Sequence, residues 1–226
     1  MKKVIISLMC AVTVLSGCGN MSNLSKGSLI GGGSGAAVGA GIGALIGEGK
    51  GAAIGAAIGS VVGAGAGAII GNKMDKKAEE LAAIQGASID TVLDANNLKS
   101  IKVTFDSGIL FPTNGTVLSD ASKDALKKFA TTMADMPETD LTIQGHTDNT
   151  GSREVNDRIS LQRAQSVSDY LKSCGMKGDR FTVEGKAYDV PVASNDTADG
   201  RAQNRRVEIY ITANEQMIAD AEKAAN

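Results

Sequence analysis

The chain has 226 residues, with 23 basic and 25 acidic side chains and a formal net charge of −2. This charge balance, together with 3% aromatic residues and no tryptophan, argues against a nucleic-acid partner, which needs a basic patch or stacking aromatics. A single histidine excludes a metal centre built from several histidines, and no cofactor is expected.

The first residues predict a secretory signal that ends at a lipid-modified cysteine. Two lysines precede an apolar run of about twelve residues, which is too short for an ordinary membrane span. The sequence Leu-Ser-Gly-Cys at 15–18 follows and resembles the lipobox of bacterial lipoproteins. This resemblance implies removal of a signal peptide at 1–17, acylation of Cys18 and a lipidated segment at 18–26. The alternative is an ordinary signal peptide followed by a chance cysteine.

Residues 27–71 form an array in which glycine recurs at every fourth position, from Gly27 to Gly71. The intervening residues are mostly Ala, Ile, Val and Leu. A period of four places these glycines along one face of a helix, where a second backbone can approach closely. Because Glu48 and Lys50 interrupt the array, we predict a glycine-zipper helical hairpin that packs on itself or forms a homo-oligomer. It either inserts into a membrane or acts as a peripheral tether.

Strand and helix patterns replace the array after residue 71. We expect a connector at 72–97, with a helix at 74–84 and a strand at 88–93. Residues 98–213 predict a β-α-β-α-β-β unit, an α+β sandwich with helices on one side of a small sheet. Its expected strands are 98–105, 141–144, 180–184 and 206–212, and its expected helices are 118–133 and 152–174. The expected buried stripe of the second helix is Leu161, Ala164, Val167 and Leu171. A loose helical tail is expected at 214–226.

Several short motifs occur in a fixed order within this unit. Phe-Asp-Ser at 105–107 is followed by Gly-His-Thr-Asp-Asn-Thr-Gly at 145–151. Leu-Gln-Arg-Ala at 161–164 and Asn-Arg-Arg-Val-Glu at 204–208 come next. Together these motifs resemble the OmpA-like peptidoglycan-binding domain. With the lipobox and the glycine array, the whole chain is similar to glycine-zipper outer-membrane lipoproteins.

The resemblance implies non-covalent binding of diaminopimelate, a component of the peptidoglycan stem peptide. This ligand carries a carboxylate and an ammonium on one carbon. Arg163 offers a planar fork that fits the carboxylate, and Asp148 can accept hydrogen bonds from the ammonium. The other candidate site residues, which close the pocket or share a helix face with Arg163, are Asn156, Thr147, Asp106, Ser107 and Gly108.

Some of these residues also have a structural interpretation. Asp148 and Arg163 can form a salt bridge that only stabilises the fold. Arg205 and Arg206 are either structural or ligand contacts, and His146 is expected to be a solvated or hydrogen-bonded loop residue. No serine or cysteine lies in a recognisable nucleophile motif, so no catalytic residue is assigned.

The sequence therefore predicts a protein anchored by lipid in the outer membrane, with its C-terminal domain in the periplasm. Its expected partners are outer-membrane lipid and the peptidoglycan stem peptide, and its expected function is to tether the membrane to the cell wall. The alternative is an envelope assembly or oligomeric membrane scaffold driven by the glycine zipper, in which wall binding only localises the protein. An enzyme is not expected, because a zinc amidase needs several metal ligands.

Overall fold

The computed structural model describes residues 62–112 and 115–226. The predicted signal peptide at 1–17, Cys18, the segment at 18–26 and most of the glycine array lie outside the described residues. The helices are α1 (Ala64–Leu81), α2 (Ser107–Leu110), α3 (Asp120–Thr132), α4 (Arg153–Ser173), α5 (Ala198–Asn204) and α6 (Glu215–Ala225), with a 3₁₀ turn at Gly178–Arg180. The strands are β1 (Ala87–Leu93), β2 (Lys99–Asp106), β3 (Thr139–His146), β4 (Phe181–Ala187) and β5 (Arg206–Ala213).

The five strands form one sheet in the order β1-β2-β5-β3-β4. Only the pairing of β3 with β4 is parallel, and the other neighbours are antiparallel. The predicted α+β class and the order β-α-β-α-β-β are confirmed by β2, α3, β3, α4, β4 and β5. The sequence did not indicate α2 and α5, because helices of 4 and 7 residues are too short to show a helical period.

Alternate residues of the central strands form the apolar core, as the two-residue period of a strand requires. The helices cover this face of the sheet. Its fully buried residues include Ile101, Val103, Phe105, Leu141, Ile143, Val207, Ile209 and Ile211. The opposite face of the same strands carries mainly polar side chains.

Helix α1 begins at Ala64, well before the connector helix that was expected at 74–84. It is integrated into the core of the domain. Its fully buried side chains include Ile70, Met74 and Leu81. Lys77 joins α1 to the end of α3, since its Nζ donates to the carbonyl of Thr132 at 2.9 Å and to Asp135 at 2.7 Å.

The C-terminal helix α6 is not the loose tail that the sequence predicted. It packs against α1 and buries Met217 and Ala221. The two helices approach closely at Gly65, where an added Cβ would lie 3.0 Å from the Cβ of Ala225. This part of the glycine array therefore serves packing within the domain. None of the described helices is both long and apolar enough to cross a bilayer.

Helix α4 lies unusually close to the ends of β3 and β4. A Cβ at Gly145 would overlap the backbone carbonyl of Ser160, and one at Gly185 would lie 2.7 Å from the hydroxyl of Ser160. The helix therefore directs Ser160 and Ala164 towards the sheet. The prediction that Leu161 is buried is wrong, since this residue is 47% exposed. Its exposure follows from its position about 100° around the helix from Ser160.

Candidate functional site

The loop that follows β3 carries Asp148, and hydrogen bonds hold its backbone from both sides. The N–H of Thr147 donates to the carbonyl of Ala187 at 2.8 Å. Oδ1 of Asp148 accepts from the N–H of Thr150 at 2.9 Å. Asn156, in the first turn of α4, donates from Nδ2 to the carbonyl of Thr150 at 3.0 Å. These bonds fix the carboxylate at the end of the sheet and leave Oδ2 for another partner.

That partner is Arg205, whose Nη1 donates to Oδ2 of Asp148 at 2.6 Å. The Asp148 side chain is 11% exposed and the Arg205 side chain is 42% exposed. The backbone carbonyl of Arg205 also accepts from the N–H of Ser107 at 2.9 Å. Arg205 thus links the corner between β2 and α2 to the loop that carries Asp148. The alternative salt bridge between Asp148 and Arg163 does not form within ion-pair distance.

Arg163 reaches the same region from α4 and is only 5% exposed. Its Nε donates to the carbonyl of Gly115 at 3.0 Å, and its guanidinium carbon lies 5.3 Å from the ring centre of Phe111. Its two terminal nitrogens donate no hydrogen bond to any described residue. Burial lowers the pKa of Arg163, the nearby positive charge of Arg205 lowers it further, and Asp148 opposes both effects. The guanidinium nevertheless stays charged, because arginine does not deprotonate in proteins.

Asp148 is ionised at neutral pH. Partial burial raises the pKa of its carboxyl, but the hydrogen bonds from Arg205 and from the N–H of Thr150 outweigh burial, so the pKa falls below its usual value of 3.8. We refer to Asp148, Arg163 and Arg205 as the open cluster. It holds two positive charges and one negative charge, and much of its hydrogen-bonding capacity is unused.

The remaining predicted residues lie around the open cluster at the β2–α2 corner and in the Asp148 loop. The hydroxyls of Ser107 and Thr147 are buried and have no hydrogen-bond partner among the described residues. Asp106 is exposed, and its side chain does not cap α2. Gly108 is exposed, with open space where a Cβ would stand. Buried hydroxyls without partners are rare in native proteins, and each costs about 1–3 kcal/mol, so these two need an explanation.

Arg206 follows Arg205 directly in sequence but lies on the polar face of the sheet, because strand β5 begins there. It is 2% exposed. Its Nε donates to Oε1 of Glu208 at 2.8 Å, and its terminal nitrogens donate to the carbonyls of Asn204 at 3.3 Å and Val190 at 3.0 Å. Of the two interpretations of Arg206, these contacts favour the structural one.

His146 belongs to the same group as Arg206, which corrects its expected position in a loop. It is the last residue of β3, is almost fully buried, and places Nε2 3.3 Å from Oε2 of Glu208. Tyr210 donates to the same oxygen at 2.9 Å. The prediction was wrong because β3 extends two residues past the expected end, so that strand alternation directs the ring to the polar face. Neither ring nitrogen of His146 has a hydrogen-bond partner among the described residues, whereas Arg206, Glu208 and Tyr210 are fully paired. We call these three residues, with His146 beside them, the saturated cluster.

The charges of the saturated cluster hold each other in fixed protonation states. Burial raises the pKa of Glu208, but His146 and Arg206 together lower it to about 2. Burial lowers the pKa of His146, which favours its neutral form, and Glu208 only partly opposes this effect. Among the described residues, no three histidine, cysteine or acidic side chains are grouped as metal ligands would be.

Comparison with known proteins agrees with this geometry. Residues 110–205 match the OmpA family model. This region is similar to OmpA-like domains, and we refer to it as the OmpA-like domain. Residues 1–75 match the YMGG-like Gly-zipper model. The two resemblances that the sequence motifs predicted, to an OmpA-like domain and to a glycine zipper, are therefore confirmed.

Relatives of this OmpA-like domain occur in chains of different lengths. Peptidoglycan-binding protein ArfA of Mycobacterium tuberculosis is 43% identical over 103 residues, which cover 46% of this chain and 32% of ArfA. Probable lipoprotein YiaD of Escherichia coli is 34% identical over 129 residues, which cover 57% of this chain and 58% of YiaD. The chain thus spans less than two thirds of the length of both relatives.

A solved structure shares the fold of the domain. The cell wall anchor of the T6SS from Pseudomonas aeruginosa superposes with a TM-score of 0.53 at 28% identity. The superposition covers 62% of this chain and 96% of that chain.

Proposed function

We propose that the OmpA-like domain binds peptidoglycan without forming a covalent bond, and that the open cluster holds the zwitterionic end of diaminopimelate. The observation that carries this proposal is the arrangement of Asp148 and Arg163. Asp148 lies close enough to raise the pKa of Arg163, yet the two side chains do not pair, and the terminal nitrogens of Arg163 have no described partner. Such an arrangement suits a ligand that brings both charges itself.

Each half of the ligand has a complementary group in the open cluster. The ligand ammonium donates to Asp148, and its carboxylate accepts two hydrogen bonds from the terminal nitrogens of Arg163. The hydroxyls of Ser107 and Thr147 supply further hydrogen bonds, which explains why the protein leaves them without partners. Asn156 acts indirectly, since it supports the loop that carries Asp148.

The names of the relatives support a binding and anchoring role rather than catalysis. ArfA is named a peptidoglycan-binding protein, and the solved structure is described as a cell wall anchor. YiaD is named a probable lipoprotein, and YfiB of Pseudomonas aeruginosa, 36% identical over 107 residues, is named an outer-membrane lipoprotein. We therefore extend the proposal to a tether, with lipid on Cys18 in the outer membrane and the OmpA-like domain on the wall in the periplasm.

Co-sedimentation with purified, diaminopimelate-containing peptidoglycan tests the proposal. The full chain in detergent is expected to pellet with the wall, whereas Asp148→Ala is expected to lose about 2–5 kcal/mol of binding free energy and stay in solution. Asp124→Ala is the matched control, because Asp124 is an exposed carboxylate on α3, outside the site. Circular dichroism checks that each variant is folded. Wild-type chain in the supernatant, or Asp148→Ala in the pellet, contradicts the proposal.

A second candidate function, an oligomeric membrane scaffold, is supported by the Gly-zipper match at residues 1–75. In that case the glycine array assembles copies of the chain, and wall binding only localises them. The oligomeric state of the full chain, compared with a deletion of residues 27–61, separates the two functions. The deletion stops at 61 because α1, which begins at Ala64, belongs to the core of the domain.

A further inference from the structure

We infer that Arg205 is an internal competitor for Asp148, and that it makes the site select a zwitterionic ligand over a simple amine. This inference rests on the proposed function and assigns a specificity role to a residue next to the ligand clamp. The carboxylate of Asp148 already accepts a hydrogen bond from the guanidinium of Arg205.

Both oxygens of Asp148 have a partner before any ligand arrives. Oδ1 accepts from the backbone N–H of Thr150 and Oδ2 accepts from Nη1 of Arg205. An incoming ammonium must therefore share Oδ2 with Arg205 or displace it. Displacement is feasible because the bond to Asp148 is the only one that the Arg205 side chain makes among the described residues, and the side chain is 42% exposed.

The backbone of Arg205 stays in place when its side chain moves. The carbonyl of Arg205 accepts from the N–H of Ser107, and Arg205 follows directly on the end of α5. The released guanidinium thus remains beside the pocket, near Arg163. Burial lowers the pKa of Arg163 most, and the nearby positive charge of Arg205 lowers it further, so the two guanidinium groups repel each other before a ligand binds.

The two kinds of ligand therefore meet different electrostatic conditions. A simple amine that takes Asp148 leaves three cations around one carboxylate, since Arg163 and Arg205 then have no counter-charge. A zwitterion brings its own carboxylate, which can accept hydrogen bonds from Arg163 and from the displaced Arg205. The cost of displacing Arg205 is offset only for the zwitterion, so Arg205 acts mainly against amine ligands.

Two soluble stem peptides test this inference on the full chain in detergent. One peptide carries diaminopimelate, and the matched peptide carries lysine in its place, which keeps the side-chain ammonium but lacks the carboxylate on the same carbon. We expect Arg205→Gln to reduce the ratio of the two affinities by about tenfold, mainly by tighter binding of the lysine peptide. Arg205→Lys, which keeps the cation, is expected to retain most of the selectivity. Arg158→Gln is the control, since Arg158 is an exposed arginine on α4.

The ratio of affinities separates a specificity role from a structural one. If Arg205 only supports the loop, Arg205→Gln weakens both peptides equally and the ratio stays constant, which overturns the inference. In that case the wild-type chain still binds the diaminopimelate peptide through Asp148, so the proposed function survives. A wild-type chain that binds neither peptide overturns the inference and the proposed function together.

Discussion

The saturated cluster and the open cluster use similar residues, lie close together in sequence, and differ in how fully those residues are paired. In the saturated cluster, Glu208 accepts from Arg206 and Tyr210, and Arg206 also donates to two carbonyls. In the open cluster, the side chains of Arg163 and Arg205 each donate one hydrogen bond to the described part of the chain. Arg205 and Arg206 are neighbours, yet they belong to different clusters.

This difference shows that burial alone does not distinguish a structural arginine from a binding arginine. Arg163 and Arg206 are almost equally buried, at 5% and 2% exposure. What separates them is the number of partners, because a buried charge without partners costs stability and is retained mainly where a function needs it. We therefore propose that the saturated cluster contributes to stability and that the open cluster binds ligand.

The largest expected effect concerns stability. Glu208→Ala leaves Arg206 buried without a counter-charge, and we expect it to lower the free energy of unfolding by about 3–5 kcal/mol. Urea unfolding followed by circular dichroism measures this change. Glu79→Ala, at an exposed position of α1, is the control and is expected to change stability by less than about 0.5 kcal/mol. Similar stability for the two variants contradicts a structural role for the saturated cluster.

The next effect concerns the geometry of the Arg163 fork. Arg163→Lys keeps the positive charge but loses bidentate contact with a carboxylate, so wall binding is expected to weaken by about 1.5–3 kcal/mol. A binding isotherm with purified peptidoglycan measures the loss. Full binding by this variant shows that charge alone is sufficient and that the bidentate arrangement is wrong.

Acid is expected to change the free energy of unfolding through the saturated cluster and wall binding through the open cluster. Glu208 has a pKa of about 2 in the folded chain against an ordinary value of 4.5, so the unfolded chain takes up the proton first. Its contribution to stability is therefore complete above pH 4.5 and is lost as the pH falls towards 2. Glu208→Gln is expected to flatten the dependence of the unfolding free energy on pH in this range. An unchanged pH dependence contradicts the assignment.

A smaller effect is expected for the pH dependence of wall binding. Asp148 must be ionised to bind an ammonium, and its pKa lies below 3.8, so binding persists from neutral pH until the pH falls below this value. Arg205→Gln removes a contact that lowers this pKa, and the loss of binding is then expected to begin at a higher pH. Co-sedimentation at stepwise lower pH measures both midpoints, and identical midpoints contradict the role of Arg205 at Asp148.

Much of the fold followed from the sequence, because strand alternation and helical periodicity are local patterns. The β-α-β-α-β-β order was predicted from them, and the motifs around Asp148 and Arg163 gave the resemblance to an OmpA-like domain. The start of α1 was missed because the glycine period continues to Gly71, which favoured one uniform array over a helix that enters the core.

The pairing within the site did not follow from the sequence. Which arginine contacts Asp148 depends on where α5 ends and β5 begins, and this boundary places Arg205 and Arg206 on different sides. The burial of His146 likewise depends on the last two residues of β3, and element ends are poorly defined by periodicity. Asp148, Thr147 and Asn156 lie around one loop, and we predict that this loop contacts the ligand.

The central claim is that partner number separates a binding arginine from a structural one, and a matched pair of variants tests it most directly. Arg163→Gln and Arg206→Gln are each measured by urea unfolding and by co-sedimentation with peptidoglycan. We expect Arg206→Gln to lose about 3 kcal/mol of stability while its folded fraction still pellets with the wall. We expect Arg163→Gln to lose wall binding while its stability changes by less than about 1 kcal/mol. The claim is contradicted if Arg163→Gln still binds the wall, or if it loses as much stability as Arg206→Gln.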